Sequence, residues 1–173
     1  MLNKLINIVR LLCTPKVFGL LIRKMRISIA SFRNVENIKK YSPQFNTIID
    51  AGANSGQFAL ASHYFFPSAN IYSFEPSKLS FTKMSASLAG QTNIKLYNFW
   101  LGDINGEIKF YENLYDQISS FSRIDINNEN AAYTQFQSKA TKAVIKKMDD
   151  ISNELMLSTP ILLKLDVQGY ENQ

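Results

Sequence analysis

A carboxylate two residues ahead of a glycine-rich turn is the first place where this sequence could do chemistry. Asp50-Ala51-Gly52-Ala53-Asn54-Ser55-Gly56 follows the β-branched run Thr47-Ile48-Ile49, and glycine permits backbone conformations that a side chain would block. Strand, glycine turn, helix, strand, acid is the order of a Rossmann-type nucleotide site. Dinucleotide sites want G-x-G-x-x-G, with the pyrophosphate on the helix N-terminus. Here no glycine stands two residues after Gly52, and an acid stands two before it. A carboxylate aimed at the turn would repel a diphosphate but favour the ammonium and sulfonium of S-adenosylmethionine. A phosphate loop is excluded, because Gly56 is followed by Gln57 and Phe58 where a Lys and a Ser or Thr are needed. Glu75, 23 residues after Gly52, stands where both cofactor classes place an acid for the ribose hydroxyls. It supports a ribose without choosing between the classes.

These residues need a strand and helix framework to position them. Thr47 to Asp50 reads as the strand that delivers the turn. A helix follows with Phe58, Ala61 and Phe65 on one face and Pro67 at its end. Asn70 to Phe74 is the next strand, stopped by Glu75-Pro76. Ser77 is an N-cap for a helix that buries Phe81, Met84 and Leu88 and ends before Gly90. A third strand runs from Ile94 to Leu101, and Asn105-Gly106 predicts a hairpin back into a strand over Glu107 to Tyr111. Residues 112 to 140 are polar and read as an irregular excursion. Thr141 to Met148 is a strand, Asp149-Asp150 opens a short helix, and Ile161 to Val167 is a nearly continuous apolar run, as in a parallel strand buried on both faces. The expected architecture is α/β, a mainly parallel sheet with flanking helices.

Composition fits one globular domain: 173 residues, 46% hydrophobic, enough to build a core. Charge divides the chain. Residues 1 to 40 hold nine Lys or Arg against Glu36 alone, a surplus of eight, which leaves the other 133 residues three units negative. Nucleic acid is therefore not the expected partner, since the chemistry-bearing part is mildly acidic. The division falls at Pro43: a basic amphipathic helical leader over 1–43, then a nucleotide-binding domain over 44–173. Leu2, Leu5, Ile6, Val9 and Leu12 recur in the leader at helical spacing, interrupted by Lys4, Arg10 and Lys16. No uncharged stretch there approaches the roughly 20 residues a membrane span needs. Two readings stay open, a pair of helices packing on the domain or a segment resting on anionic lipid. Cys13 has no partner for an internal disulfide, which fits a reducing, cytoplasmic setting, with peripheral membrane attachment under the second reading. No His, Cys, Asp and Glu cluster has metal-ligand spacing, and His63, beside Tyr64 and Phe65, reads as structural or solvent-facing.

The ordered set IIDAGANSGQFA, IYSFEPS, NFWLGDINGEIKFY, KKMDDI and LLKLDVQGYE resembles the FkbM family of O-methyltransferases, from about Thr47 to the last residues. The resemblance implies the Rossmann-like class I methyltransferase fold, S-adenosylmethionine as donor and a hydroxyl acceptor on a sugar, polyketide or other glycoconjugate. It implies that Asp50, Gly52, Ala53, Asn54, Ser55 and Gly56 surround the methionine part of the cofactor. Glu75 would take the ribose, Leu101 and Asp103 would lie near the adenine, and Asp166 would face the methyl group and acceptor. Ser119-Ser120-Phe121 resembles a serine pair of the family. Two departures stand out. Gln168 replaces the family's usual Glu, so one group near the reaction centre cannot take a proton. The sequence also stops just after LKLDVQGYE, where the family's fold would continue with a helix and further strands.

An alcohol acceptor must lose its proton as the new bond forms, and Asp166 is the first candidate base, Glu171 the second. Asp166 could instead cap the next helix, and Glu171 could be a solvated face residue. With the last apolar strand left at an edge, the 173-residue form is expected to be a fragment or a prematurely ended product. Such a chain would be unstable or sticky, with weak cofactor binding and an incomplete acceptor site. The competing readings are a noncatalytic cofactor-binding or interaction module and a nicotinamide-dependent reductase. Asp50 and the missing middle glycine disfavour the reductase.

Overall fold

The computed structural model describes residues 27–113 and 138–166. Helix α1 (Ile29–Tyr41) starts at Ser28, whose hydroxyl accepts from the Ser31 amide at 3.2 Å, and buries Phe32 and Val35. Strand β1 (Thr47–Ala51) is buried throughout, as its β-branched residues and central place require. Helix α2 (Gln57–Phe65) leads to β2 (Asn70–Phe74). Ser77 caps α3 (Lys78–Ser87) by accepting from the Ser80 amide at 3.1 Å, and β3 (Ile94–Tyr97) follows. The remaining elements are β4 (Trp100–Gly102), β5 (Gly106–Asn113), β6 (Ser138–Lys147), α4 (Met148–Ser152) and β7 (Ile161–Leu165).

The main sheet has the order β3-β2-β1-β7, with every pair parallel. This is the Rossmann-like arrangement that strand, turn and helix rhythm predicts. On one side α1 and α2 close over Ile48, Ile71 and Leu162, and the Phe32 ring meets Tyr64 at 5.6 Å and Phe65 at 6.0 Å. The buried face of α2 is wider than the expected stripe. Ala59, Leu60, Ala61 and Ser62 are buried, with Phe58 and Phe65 at the margins, because the helix lies between α1 and the sheet. On the other side Ile49, Tyr72 and Phe74 pack with Ile151 and Leu155. Helix α1 falls inside the stretch read as a leader, yet Phe32 and Val35 belong to the core cluster. Residues 1–26, Cys13 included, lie outside the described residues.

Three sequence expectations are corrected in the second half. The third strand is not continuous. Asn98 donates to the carbonyls of Glu75 and Pro76 at 2.7 and 3.1 Å, and after that anchor the chain leaves the main sheet. Trp100 to Gly102 then pair elsewhere. The Asn-Gly hairpin does not form either: the second sheet has the order β4-β6-β5, with β6 parallel to β4 and antiparallel to β5. Burial decides this pairing, since Ile145 and Ala143 of β6 pack with Trp100 against Ala51. Asn105 serves another purpose. Its Oδ1 accepts from the Lys147 amide at 2.9 Å and its amide group donates to the Asp150 carboxylate, bracketing the exit of β6. Of the expected irregular excursion, residues 112–113 belong to β5 and 138–140 to β6, and 114–137 lie outside the described residues.

Candidate functional site

The chain leaves β1 towards β2 and β3 and later returns to the opposite flank of β1 as β7. A sheet reversing in this way opens a crevice at the C-terminal ends of the strands. The glycine turn and Asp166 meet there. Gly52, Asn54 and Gly56 have φ of 75°, 50° and 82°. A β-carbon at position 52 would lie 2.1 Å from the Asp166 carbonyl oxygen, so only glycine lets the turn and the end of β7 touch. At position 56 it would lie 2.7 Å from Leu88 Cδ1 of the α3 terminus.

The turn's amides are largely spent within the protein. Those of Gly52 and Ala53 both donate to the Phe74 carbonyl at 3.0 Å, that of Gly56 to the Ala53 carbonyl at 2.9 Å, and that of Asn54 to Glu75 Oε2 at 2.7 Å. A diphosphate cradle needs such N–H groups turned towards the ligand. Ala53 and Ser55 are buried, leaving Asn54 as the turn's exposed side chain.

Glu75, just past β2, accepts from Asn54 with one oxygen and from the Ser77 amide at 2.9 Å with the other. Each oxygen keeps a lone pair for a further donor. Burial pushes its carboxyl up to about 7, outweighing the opposite pull of the two amides. The side chain thus ties the turn to the segment after β2.

Lys164 is a residue of the crevice that the sequence does not single out. The apolar run of β7 hides it, yet a lysine inside a parallel strand needs partners. Its Nζ lies 3.0 Å from Asp50 Oδ1 and 3.6 Å from Asp166 Oδ2, and it donates to the Gly52 carbonyl at 2.8 Å. Asp50 has no exposed surface, and burial raises its pKa despite the neighbouring ammonium. By distance this is an ion pair, although neither Asp50 oxygen has a hydrogen bond of proper geometry among the described residues. Asp50 is thus buried behind Lys164, which links it to the crevice. What disfavours a diphosphate is then the spent amides of the turn more than the bare charge of Asp50. Asp166 is open to solvent, its side chain 63% exposed, while its backbone amide donates to the Ala51 carbonyl at 3.1 Å.

The other expected residues divide. Leu101 is half-buried between the clusters of Trp100 and Phe74, and Asp103 is exposed on the following bend. Glu171, Gln168 and Ser119-Ser120-Phe121 lie outside the described residues. Tyr72, Phe74 and Trp100 are buried packing residues, and the Tyr72 hydroxyl accepts from the Met156 amide at 2.9 Å. His63 Nδ1 sits 2.7 Å from Asn93 Oδ1, linking α2 to the start of β3 in the structural role expected of it. Among the described residues no group of His, Cys, Asp and Glu could hold a metal ion.

Comparison with known proteins adds two findings. A family model described as "Methyltransferase FkbM domain" matches residues 50–173. A curated relative from Beauveria bassiana (strain ARSEF 2860), named Methyltransferase 1, is 28% identical over 142 residues, which cover 75% of this chain and 57% of that relative. The chain thus matches little more than half of the relative's length.

Proposed function

The chain belongs to the FkbM methyltransferase family, and on that premise we propose that it moves a methyl group from S-adenosylmethionine to a hydroxyl of a sugar or glycoconjugate. The observation that carries the donor assignment is the turn whose amides are consumed by Phe74, Ala53 and Glu75, in a crevice holding three acids and one lysine. Such a crevice suits a cationic ligand better than a diphosphate. The residues fit S-adenosylmethionine. Glu75 has an acceptor on each oxygen for the ribose hydroxyls, Gly52 to Gly56 would border the methionine part, and Leu101 and Asp103 the adenine.

The bound donor would supply a methyl carbon already activated by a sulfonium. The chain's own residues would align the partners and manage the proton. Asp166 is exposed and next to the turn, and it accepts the acceptor's hydroxyl proton as the new bond forms; Glu171 is the second candidate. General-base help of this kind is typically worth about 100-fold to 10,000-fold. The basic stretch 1–40 favours an acceptor carried at an anionic membrane surface, with the catalytic part on the cytoplasmic side. No helix among the described residues is long and apolar enough to cross a membrane.

The test is acceptor-dependent formation of S-adenosylhomocysteine by the full chain over a panel of hydroxylated sugars and lipid-linked glycans. Asp166→Asn is expected to lower kcat by about 100-fold while leaving S-adenosylhomocysteine affinity within a few-fold. Gln168, standing where the family has Glu, favours a second reading, a module that binds the donor without turnover. Binding without acceptor-dependent product would select it, and no binding at all would reject both.

A further inference from the structure

We propose that Lys164 is a positioning residue, its ammonium clamping the glycine turn to the end of β7 in the arrangement that the methyl donor binds. The proposal rests on the reading of this crevice as the donor site. Three acceptors from two elements converge on one ammonium: Asp50 Oδ1 at 3.0 Å and the Gly52 carbonyl at 2.8 Å from the turn side, and Asp166 Oδ2 at 3.6 Å from the strand's end. The Ala51 carbonyl, at 3.4 Å, is a fourth. The lysine side chain is 21% exposed and its Nζ lies over the Phe58 ring, 5.9 Å from the centroid. Gly52 has no β-carbon, so the turn can press against the Asp166 carbonyl, and Lys164 ties the same two segments by charge.

Stability alone is a poor reason for this pair. A buried ion pair can often be replaced by apolar residues of similar volume with no loss of stability, because desolvation consumes the Coulombic gain. What an apolar pair cannot reproduce is the bond to the Gly52 carbonyl and the attraction for Asp166. Those two contacts decide where the turn and the candidate base stand relative to each other. Asp50, with no exposed surface, is the buried anchor of the clamp.

The discriminating variant is Asp50→Leu/Lys164→Met in the full chain, measured by hydrogen exchange without ligand and by S-adenosylhomocysteine titration. The variant is expected to keep the wild-type melting temperature within a few degrees, to speed exchange over residues 52–56 but not in β2, and to weaken affinity by about tenfold or more. Wild-type exchange over 52–56 together with wild-type affinity in this variant overturns the clamp. If the double variant does not fold, Lys164→Met is measured in the same two ways, and the same outcomes support or overturn the clamp. A wild-type chain that fails to bind S-adenosylhomocysteine sinks the donor-site reading instead, and exchange over 52–56 still decides whether Lys164 holds the turn.

Discussion

Glu75 is where pH reaches the crevice. Burial raises it from 4.5 to about 7, so the folded chain holds this proton more tightly than the unfolded chain. Stability from the group is then complete below about pH 4.5, declines as pH rises and is lost above about 7. A shift of that size sets an upper bound of about 3 kcal/mol. Denaturation at pH 5 and pH 8 is expected to find the wild type weaker at pH 8 and Glu75→Gln to shrink the difference. Asp50 is raised in the same direction by complete burial. Equal slopes in the two proteins would contradict the assignment. Ligand affinity should run the other way, because only the ionised carboxylate accepts from both ribose hydroxyls. S-adenosylhomocysteine should bind more tightly as pH rises through about 7.

Gly52 gives a steric test at the same scale. Gly52 and Gly90 share a positive φ, 75° and 84°, but a β-carbon at 90 meets nothing within 4 Å, whereas at 52 it strikes the Asp166 carbonyl. Gly90→Ala is expected to cost about 1 to 2 kcal/mol from backbone conformation alone. Gly52→Ala should cost more and also displace Asp166, read as a larger fall in the urea midpoint. Equal midpoints would mean that the close approach carries no energy. Asp50, Gly52 and Glu75 were all legible in the sequence because their spacing belongs to the turn itself. The partner of Asp50 was not, since a contact across 114 positions is visible only when β1 and β7 pair.

At the level of elements, local signals succeeded where capping and breaking decide the matter. Ser77 caps α3, and Pro67 follows the end of α2. They failed where pairing is decided at a distance. Asn105-Gly106 is a sound hairpin signal, but burying Trp100, Ala143 and Ile145 against Ala51 draws β6 between β4 and β5. The difference can be measured. In a two-residue turn Asp substitutes for Asn with little penalty. Here Asn105 donates to Asp150, so Asn105→Asp trades a hydrogen bond for two facing carboxylates. A loss of about 1 kcal/mol at pH 7 is expected. A neutral substitution at pH 7 would restore the hairpin reading.

At the scale of the whole molecule, one face of the main sheet is open at β7 among the described residues. Ile161, Leu163 and Leu165 alternate on it and are 39%, 54% and 50% exposed, whereas Leu162 on the opposite face packs under α1 and α2. The apolar run was legible in the sequence. Its place at an edge was expected too, but its exposed face was not, because a nearly continuous apolar run reads as a strand buried on both faces. Among the described residues no strand pairs with the outer side of β7. Apolar side chains beside unpaired backbone groups invite another copy of the chain. The 173-residue chain studied by itself is therefore expected to associate increasingly with concentration in sedimentation velocity. Leu163→Lys places a charge in the middle of that row at little cost to a half-exposed position, and should shift the chain towards monomer without changing its melting temperature by more than a few degrees. A wild type that stays monomeric at every concentration, or a variant that associates as strongly, would show that this face is not what brings copies together.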